Sequence, residues 1–186
     1  MHDDWRPPVA YQQWLCVAVF VSTFQRAAVG LGEARRAGQD TRNAAWEQAE
    51  RKALCHCGSL RVIVFGKPDR VYVCHCAACQ RRTGAIMHSG AAYLKSQVRV
   101  EGASRVYART ADSGYEIRFH FCPNCGSNVY WEGERFPSEY GIAVGSFADP
   151  EFASPTYSVY EESMHHWVRL PSGMNHFPKC RPLANR

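Results

Sequence analysis

Residues 74–79 read Cys-His-Cys-Ala-Ala-Cys, and similar clusters stand on either side, Cys-His-Cys at 55–57 and Cys-Pro-Asn-Cys-Gly at 122–126. Cysteines this close are poor disulfide partners for each other, because so small a ring strains the bond. Thiolates at these spacings can instead converge on one zinc ion. In an extended segment both cysteines of a Cys-x-Cys lie on one face, because strand side chains alternate. The sequence therefore predicts a domain organised around bound metal.

The seven clustered cysteines divide into two candidate zinc sites. The economical assignment gives a structural zinc to the two outer pairs, which are Cys55, Cys57, Cys122 and Cys125. A second zinc is then held by Cys74, Cys76 and Cys79, which lie within six residues. Four ligands close a zinc site, whereas three leave a position for water or substrate. Spacing alone also allows Cys76 and Cys79 to join the four-ligand site.

Length, charge and cysteine usage limit the class of protein. The chain has 186 residues, enough for one domain with a hydrophobic core. Its net charge of +5 comes from scattered arginines, so we expect no nucleic-acid partner. Free thiols kept for metal indicate a reducing compartment, and we expect a cytoplasmic location. The apolar run at residues 14–21 is too short to span a bilayer, so no membrane association is expected.

Secondary-structure patterns change along the chain. Residues 1–50 are interpreted as an N-terminal extension, and the composition of residues 33–54 favours helix. Residues 51–178 form the predicted zinc-binding domain and residues 179–186 a flexible tail. Short apolar or alternating runs predict strands at Arg61–Phe65, Val71–Val73, Val98–Val100, Arg105–Tyr107, Tyr115–Phe121, Asn128–Trp131 and Tyr140–Val144. The predicted fold class is therefore mainly β and antiparallel.

Histidines and the two remaining cysteines are not predicted to be ligands. His56 and His75 each stand between two cysteines and would face the other way in an extended segment, at the surface or behind the ligands. Four other histidines carry no spacing signal, namely His88, His120, His165 and His166. Cys16 and Cys180 lie outside the clusters and are interpreted as bystanders.

A zinc ion held by three thiolates favours one class of chemistry. Its net charge of −1 makes it a soft Lewis acid with affinity for a further thiol. Binding there favours the ionised, nucleophilic form of that thiol. The three-cysteine site therefore indicates thiol-dependent chemistry more than peptide hydrolysis. Thiolate-rich turns can also hold iron for electron transfer, which is the alternative metal.

Three motifs together resemble a known family. Residues 55–59, 74–84 and 121–127 are similar to the glutathione-dependent formaldehyde-activating enzyme (Gfa) family, also called the centromere protein V/Gfa domain. Residues 144–150 and the Trp167 segment are similar to the end of that domain. The resemblance covers residues 51–178. It implies a zinc-dependent, Mss4-like β fold and the same division of the cysteines.

The resemblance also implies an activity. It would be a carbon–sulfur lyase activity that joins glutathione and formaldehyde as S-hydroxymethylglutathione, with Cys74, Cys76 and Cys79 as ligands of the open zinc. No motif specifies the glutathione contacts. Arg81, Arg82 and Lys95 are candidates for its carboxylates, or are solvated surface charges. The alternative is a zinc-stabilised Mss4-like binding module without catalysis, because a fold does not fix a function. The sequence leaves the oligomeric state open.

Overall fold

The computed structural model describes residues 49–182, which contain eleven β-strands and one α-helix. The strands are β1 (Glu50–Leu54), β2 (Arg61–Phe65), β3 (Arg70–Cys74), β4 (His88–Leu94), β5 (Val98–Glu101), β6 (Arg105–Thr110), β7 (Glu116–Phe121), β8 (Asn128–Gly133), β9 (Glu139–Ala143), β10 (Tyr157–Val159) and β11 (Asn175–Phe177). The helix α1 is Ala77–Thr83, and 3₁₀ turns cover Lys95–Gln97, Val144–Phe147 and Glu161–Ser163. The prediction of a mainly β fold is confirmed. None of the helices within residues 49–182 is long and apolar enough to cross a membrane.

The helix predicted over residues 33–54 is wrong at its end. Glu50–Leu54 form β1, which pairs antiparallel with β2 along its whole length. Ala53 is fully buried in that pairing. Helix propensities differ by only a few tenths of a kcal/mol per residue, so the edge offered by the apolar strand β2 decides the conformation. The rest of the predicted helical extension, residues 1–48, lies outside the described residues.

The described strands form two sheets. The small sheet has the order β1-β2-β5, and the large one has the order β11-β10-β3-β4-β9-β8-β7-β6. Most pairings are antiparallel, as predicted, but β10 runs parallel to both β3 and β11. Hairpins force antiparallel pairing, whereas a long connection allows either direction. The segment from β9 to β10 is long enough to bring β10 in parallel.

The hydrophobic core lies between the two sheets. Leu60, Val62 and Val64 of the small-sheet side are fully buried and join one apolar cluster with Ala91 and Ile142 of the large sheet. Successive side chains of a strand point to opposite faces, so one face of each sheet supplies this core. Burying each large apolar side chain contributes about 1.5–3 kcal/mol.

The opposite face of the large sheet is shaped by two glycines. Gly90 lies opposite Tyr72 on β3, and Gly141 lies opposite Trp131 on β8. A β-carbon on Gly141 would overlap the indole ring of Trp131. A β-carbon on Gly90 would lie 2.9 Å from Tyr72 Cζ. The two glycines therefore leave room for these aromatic rings to lie close to the sheet, where they form part of the floor of a cavity.

Candidate metal centres

The two outer cysteine pairs meet in one cluster. Cys55 and Cys57 lie in the turn after β1, and Cys122 and Cys125 lie in the turn between β7 and β8. The four sulfur atoms all lie within 4.8 Å of one another. Cys55 Sγ is 3.5 Å from Cys57 Sγ, and Cys57 Sγ is 3.7 Å from Cys122 Sγ. Sulfurs bound tetrahedrally to zinc at about 2.3 Å lie about 3.8 Å apart. This donor set therefore fits zinc.

Local backbone geometry positions these sulfurs. Gly58 and Gly126 have φ of 75° and 74°, left-handed values that favour glycine. Their amides donate to the carbonyls of Cys55 at 3.0 Å and Cys122 at 2.9 Å, closing both turns. The amide of Leu60 donates to Cys55 Sγ at 3.2 Å. Such hydrogen bonds orient thiolate ligands and reduce the repulsion between them.

Two serines surround the same sulfurs. Ser59 Oγ lies 3.0 Å from Cys57 Sγ, and Ser127 Oγ lies 3.4 Å from Cys125 Sγ. The hydrogen bond from Ser59 lowers the pKa of Cys57 to about 5, and that from Ser127 lowers the pKa of Cys125 to about 7. Burial raises the pKa of Cys55. Ionisation is therefore favoured at Cys57, which is exposed, and at Cys125, which is half-buried, and disfavoured at Cys55.

The three remaining cysteines form a second, local cluster. Cys74 ends β3, Cys76 caps the start of α1, and Cys79 lies in the first turn of that helix. Their three sulfur atoms lie within 4.8 Å of one another, and the amide of Cys79 donates to Cys76 Sγ at 3.3 Å. Hydrogen bonds from the Cys74 and Cys79 thiols lower the pKa of Cys76 to about 2. The hydrogen bond to Cys76 raises the pKa of Cys74. This set also fits a thiolate-binding metal.

The second cluster lies in the wall of a cavity of about 220 Å³. All three of its cysteines line this cavity, and none of the four outer cysteines does, so far as residues 49–182 show. Aromatic side chains supply much of the wall, including Tyr72, Phe119 and Trp131. Five arginines also line it, namely Arg70, Arg82, Arg109, Arg135 and Arg181. Four acidic residues accompany them, namely Asp112, Glu116, Glu132 and Glu139.

Two of these arginines are neutralised by carboxylates within the wall. Arg70 forms a two-pronged ion pair with Glu139, in which Arg70 Nη1 lies 3.0 Å from Glu139 Oε1. The carboxylate of Glu139 helps to raise the pKa of Arg70 against the cost of burial. Arg109 Nη2 lies 2.7 Å from Asp112 Oδ1. Both pairs therefore contribute little net charge to the cavity.

Arg82 carries its charge directly beside the three sulfurs. Its Nη2 lies 3.9 Å from Cys79 Sγ, and its Nη1 donates to Asn128 Oδ1. The guanidinium lies over the ring of Phe119, at 4.4 Å from the centroid. These contacts fix the planar group in place. Positive charge at this position favours the thiolate form of the neighbouring cysteines.

His88 is a buried polar group in the same wall. It is the first residue of β4, lies opposite Cys74 in the strand register, and is 7% exposed. Its Nε2 is buried and has no hydrogen-bond partner among the described residues. Its ring packs edge-on against Trp131, with centroids 4.8 Å apart. Burial, with a contribution from Arg82, lowers the pKa of His88 to about 3, so the imidazole is neutral at neutral pH.

The other histidines lie outside both sulfur clusters, so far as the structure describes the chain. His56 is exposed, as expected for a surface position. His75 is fully buried, so the surface option is wrong for it. Its backbone explains this, because the amide donates to Val159 on β10 at 3.1 Å and the carbonyl accepts from Gln80 at 2.7 Å. His75 is therefore held behind the ligands.

The three basic residues that were candidates for binding the carboxylates of glutathione lie in different places. Arg82 lines the cavity, whereas Arg81 is exposed and lines a neighbouring hollow. Lys95 lies outside the cavity wall and pairs with Glu132 at 2.6 Å. Cys180, interpreted from sequence as a bystander, lines the cavity. Cys16 lies outside the described residues.

Sequence reasoning missed two prominent wall residues, His88 and Trp131. The sequence predicts a strand at Trp131, but the orientation of the indole ring depends on Gly141 of a different strand. His88 precedes a run of small residues in β4, which gives a weak strand signal. The useful signal would have been the pairing of β4 with β3, which sets His88 opposite Cys74. That pairing is a tertiary property.

A family model matches the part of the chain that carries both sulfur clusters. A family model described as glutathione-dependent formaldehyde-activating enzyme matches residues 50–163, and the match includes all seven clustered cysteines. A crystal structure of a Rhodobacter sphaeroides protein, a structural genomics target, aligns over 53% of this chain and 91% of that chain. The aligned residues are 28% identical and the TM-score is 0.42. A search of curated proteins gives no match.

Proposed function

This chain belongs to the glutathione-dependent formaldehyde-activating enzyme family, as its cysteine motifs predicted, and on that premise we propose that it is a zinc-dependent carbon–sulfur lyase. The substrate would be a thiol such as glutathione together with formaldehyde or a related aldehyde. The product would be the S-hydroxymethyl adduct, and the reverse cleavage would use the same site. Cys74, Cys76 and Cys79 would hold the zinc that serves this reaction.

One observation carries the proposal. The three-sulfur cluster opens onto the cavity of about 220 Å³, whereas none of the cysteines of the four-sulfur cluster lines that cavity. Four protein ligands complete a zinc site, and three leave a position that a ligand from outside can take. The cluster with the free position is thus the one that a substrate can reach. A cluster of purely structural role would have no need of this access.

The residues around the three sulfurs have separate roles in the proposal. A zinc ion held there supplies a position at which the pKa of a substrate thiol falls, so that it is present as the nucleophilic thiolate. Arg82 stabilises negative charge at the sulfurs. Tyr72, Phe119 and Trp131 exclude water and hold the two reactants next to each other, so that the reaction between them becomes effectively unimolecular.

The charge of the wall suits a substrate with carboxylates. Arg70 and Arg109 are paired with acidic residues, whereas Arg82, Arg135 and Arg181 form no ion pair that the described residues show. Arg135 donates to the backbone carbonyl of Arg181, so these two arginines are neighbours in the cavity wall. Arginine binds carboxylates through two parallel hydrogen bonds. Glutathione, with two carboxylates and one ammonium group, is a thiol of matching charge.

Adduct formation tests the proposal directly. Glutathione and formaldehyde combine without a catalyst, so the measurement is the rate of S-hydroxymethylglutathione formation and cleavage with and without the zinc-loaded protein. We expect the protein to accelerate both directions and to bind glutathione in a calorimetric titration. Absence of both acceleration and binding would remove the proposed activity. Metal analysis should find two zinc ions per chain.

A further inference from the structure

His88 carries a buried polar atom that lacks a hydrogen-bond partner among residues 49–182. The residue is 7% exposed, and the atom without a partner is Nε2. Buried polar atoms are nearly always hydrogen-bonded, so an exception calls for an explanation. The ring lines the cavity beside the three-sulfur cluster. A ligand in that cavity is the partner that the protein itself does not supply.

The strand register places His88 next to the sulfurs. Cys74 and His88 are directly opposite each other in the antiparallel pair β3 and β4. Side chains of opposite residues lie on the same face of a sheet, with β-carbons about 4.5–5.5 Å apart. The edge-on contact with Trp131 limits the directions that the ring can take. A substrate sulfur beside Cys74 would therefore have its reacting carbon within reach of His88.

Other groups near this position are held by contacts of their own. Arg82 donates from Nη1 to Asn128, lies over Phe119 and has Nη2 3.9 Å from Cys79 Sγ, whereas its buried Nε has no hydrogen-bond partner among the described residues. Tyr72 lies further along β3, opposite Gly90, and stacks on Tyr157 with centroids 5.4 Å apart. The buried Nε2 of His88 has no hydrogen-bond partner among the described residues. An imidazole can stabilise developing charge on an oxygen by donating a ring N–H.

We propose that His88 is a catalytic residue of the thiol–aldehyde reaction, donating a hydrogen bond from Nε2 to the aldehyde oxygen; this rests on the proposed function. The thiolate sulfur forms a bond to the carbonyl carbon, and the π electrons of the C=O bond move to the oxygen. The alkoxide that results takes a proton from water and becomes the hydroxyl of the adduct. In the reverse direction the hydroxyl loses that proton, the C–S bond breaks, and the thiolate leaves. The hydrogen bond is strongest when the oxygen carries most charge.

The test combines kinetics with binding of two stable thioethers. His88→Leu removes the donor, His88→Gln retains an N–H donor, and His120→Leu is the matched control. His120 is a half-buried histidine whose Nε2 is likewise buried without a hydrogen-bond partner among the described residues, but it does not line the cavity. Each variant is checked for zinc content and for a native circular dichroism spectrum. Affinities for S-(2-hydroxyethyl)glutathione and S-ethylglutathione are then measured, because only the first carries a hydroxyl for His88.

We expect His88→Leu to lower kcat about 100-fold, as removal of one oxyanion donor does elsewhere, with KM for glutathione unchanged within threefold. His88→Gln should recover about a tenth of the wild-type rate. The unsubstituted protein should prefer the hydroxyethyl thioether, and His88→Leu should lose that preference. His120→Leu should keep both properties.

Several outcomes would overturn the role of His88. The role is excluded if zinc-loaded His88→Leu has a kcat within threefold of that of the unsubstituted protein. It is also excluded if His88→Leu keeps the preference for the hydroxyethyl thioether. Loss of rate in Tyr72→Phe but not in His88→Leu would assign the donor to Tyr72. If His88→Leu does not fold, His88→Gln decides by whether the hydroxyl preference persists. An inactive unsubstituted protein would instead remove the proposed function, and this role with it, before any variant is made.

Discussion

The two sulfur clusters use the same ligand type but have different places in the fold. The outer cluster joins the turn after β1, in the small sheet, to the turn between β7 and β8, in the large sheet. The inner cluster joins the end of β3 to the helix that follows it, within six residues. A metal in the outer cluster therefore closes a long loop between two sheets, and one in the inner cluster closes a very short one.

This difference separates stability from chemistry. Closing a long loop removes much conformational freedom from the unfolded chain, whereas closing a short one removes little. The inner cluster is surrounded instead by features that suit a ligand. These are the cavity, the charge of Arg82 and Nε2 of His88, which has no hydrogen-bond partner within residues 49–182. We therefore expect the outer cluster to determine whether the domain folds and the inner one to determine whether it acts.

The largest effect is expected from Cys125→Ser in the outer cluster. Structural zinc sites have apparent binding free energies of about 10–16 kcal/mol in small peptides, and whole domains are stable by only about 5–15 kcal/mol. Loss of one of four ligands should therefore remove cooperative folding. Thermal melting followed by circular dichroism, together with metal analysis, measures this loss.

Cys180→Ser, outside both clusters, is the control and should melt like the unsubstituted protein. A cooperative Cys125→Ser with full zinc content would contradict the assignment.

Cys79→Ser in the inner cluster is expected to keep the fold and lose the chemistry. The remaining contacts of α1 and β3 do not depend on a metal there, so Tm should fall by no more than about 5 °C, which corresponds to roughly 1 kcal/mol. Glutathione binding and adduct formation should fall at least 100-fold, and one zinc ion per chain should remain.

The opposite result for Cys79→Ser would favour the binding-module alternative. If this variant unfolds as completely as Cys125→Ser, both clusters are architectural and the comparison between them fails. Zinc content distinguishes the cases, since an architectural pair would lose both ions together.

Gly141→Ala tests whether the floor of the cavity depends on a missing side chain. A methyl group at residue 141 would overlap the Trp131 ring, and overpacking of this kind costs about 1–3 kcal/mol. We expect a lower Tm, a shifted tryptophan fluorescence spectrum and weaker glutathione binding, with outer-cluster zinc retained. Gly145→Ala is the matched control, because a β-carbon there meets no atom within 4 Å. If the two variants have the same Tm and the same glutathione affinity, the Trp131 ring can move to another position without cost.

Local patterns in the sequence were sufficient to predict the sulfur clusters and most strands but not the cavity. Cysteine spacing predicted the two clusters, because the ligands come from tight turns whose geometry is local. Alternation predicted most central strands, since each has one face in the core. The helix expected at residues 50–54 failed because pairing with β2 outweighs a small propensity. The cavity could not be predicted, because His88, Trp131 and Arg82 meet only after four strands, β3, β4, β9 and β8, are placed in order.

The smallest effect that would still distinguish the clusters is expected from Arg82→Met. Methionine keeps much of the apolar stem over Phe119 but removes the charge that lies 3.9 Å from Cys79 Sγ. Thiolate at the inner cluster should then be less favoured, and glutathione affinity should fall about tenfold, equivalent to about 1.4 kcal/mol.

Arg81→Met is the matched control, because Arg81 is the neighbouring residue, is exposed, and does not line the cavity. Its effect should stay below twofold, since exposed charges in water contribute little. Calorimetric titration of both variants at one ionic strength makes the measurement, and equal losses would mean that the arginines act only through the overall positive charge of this surface.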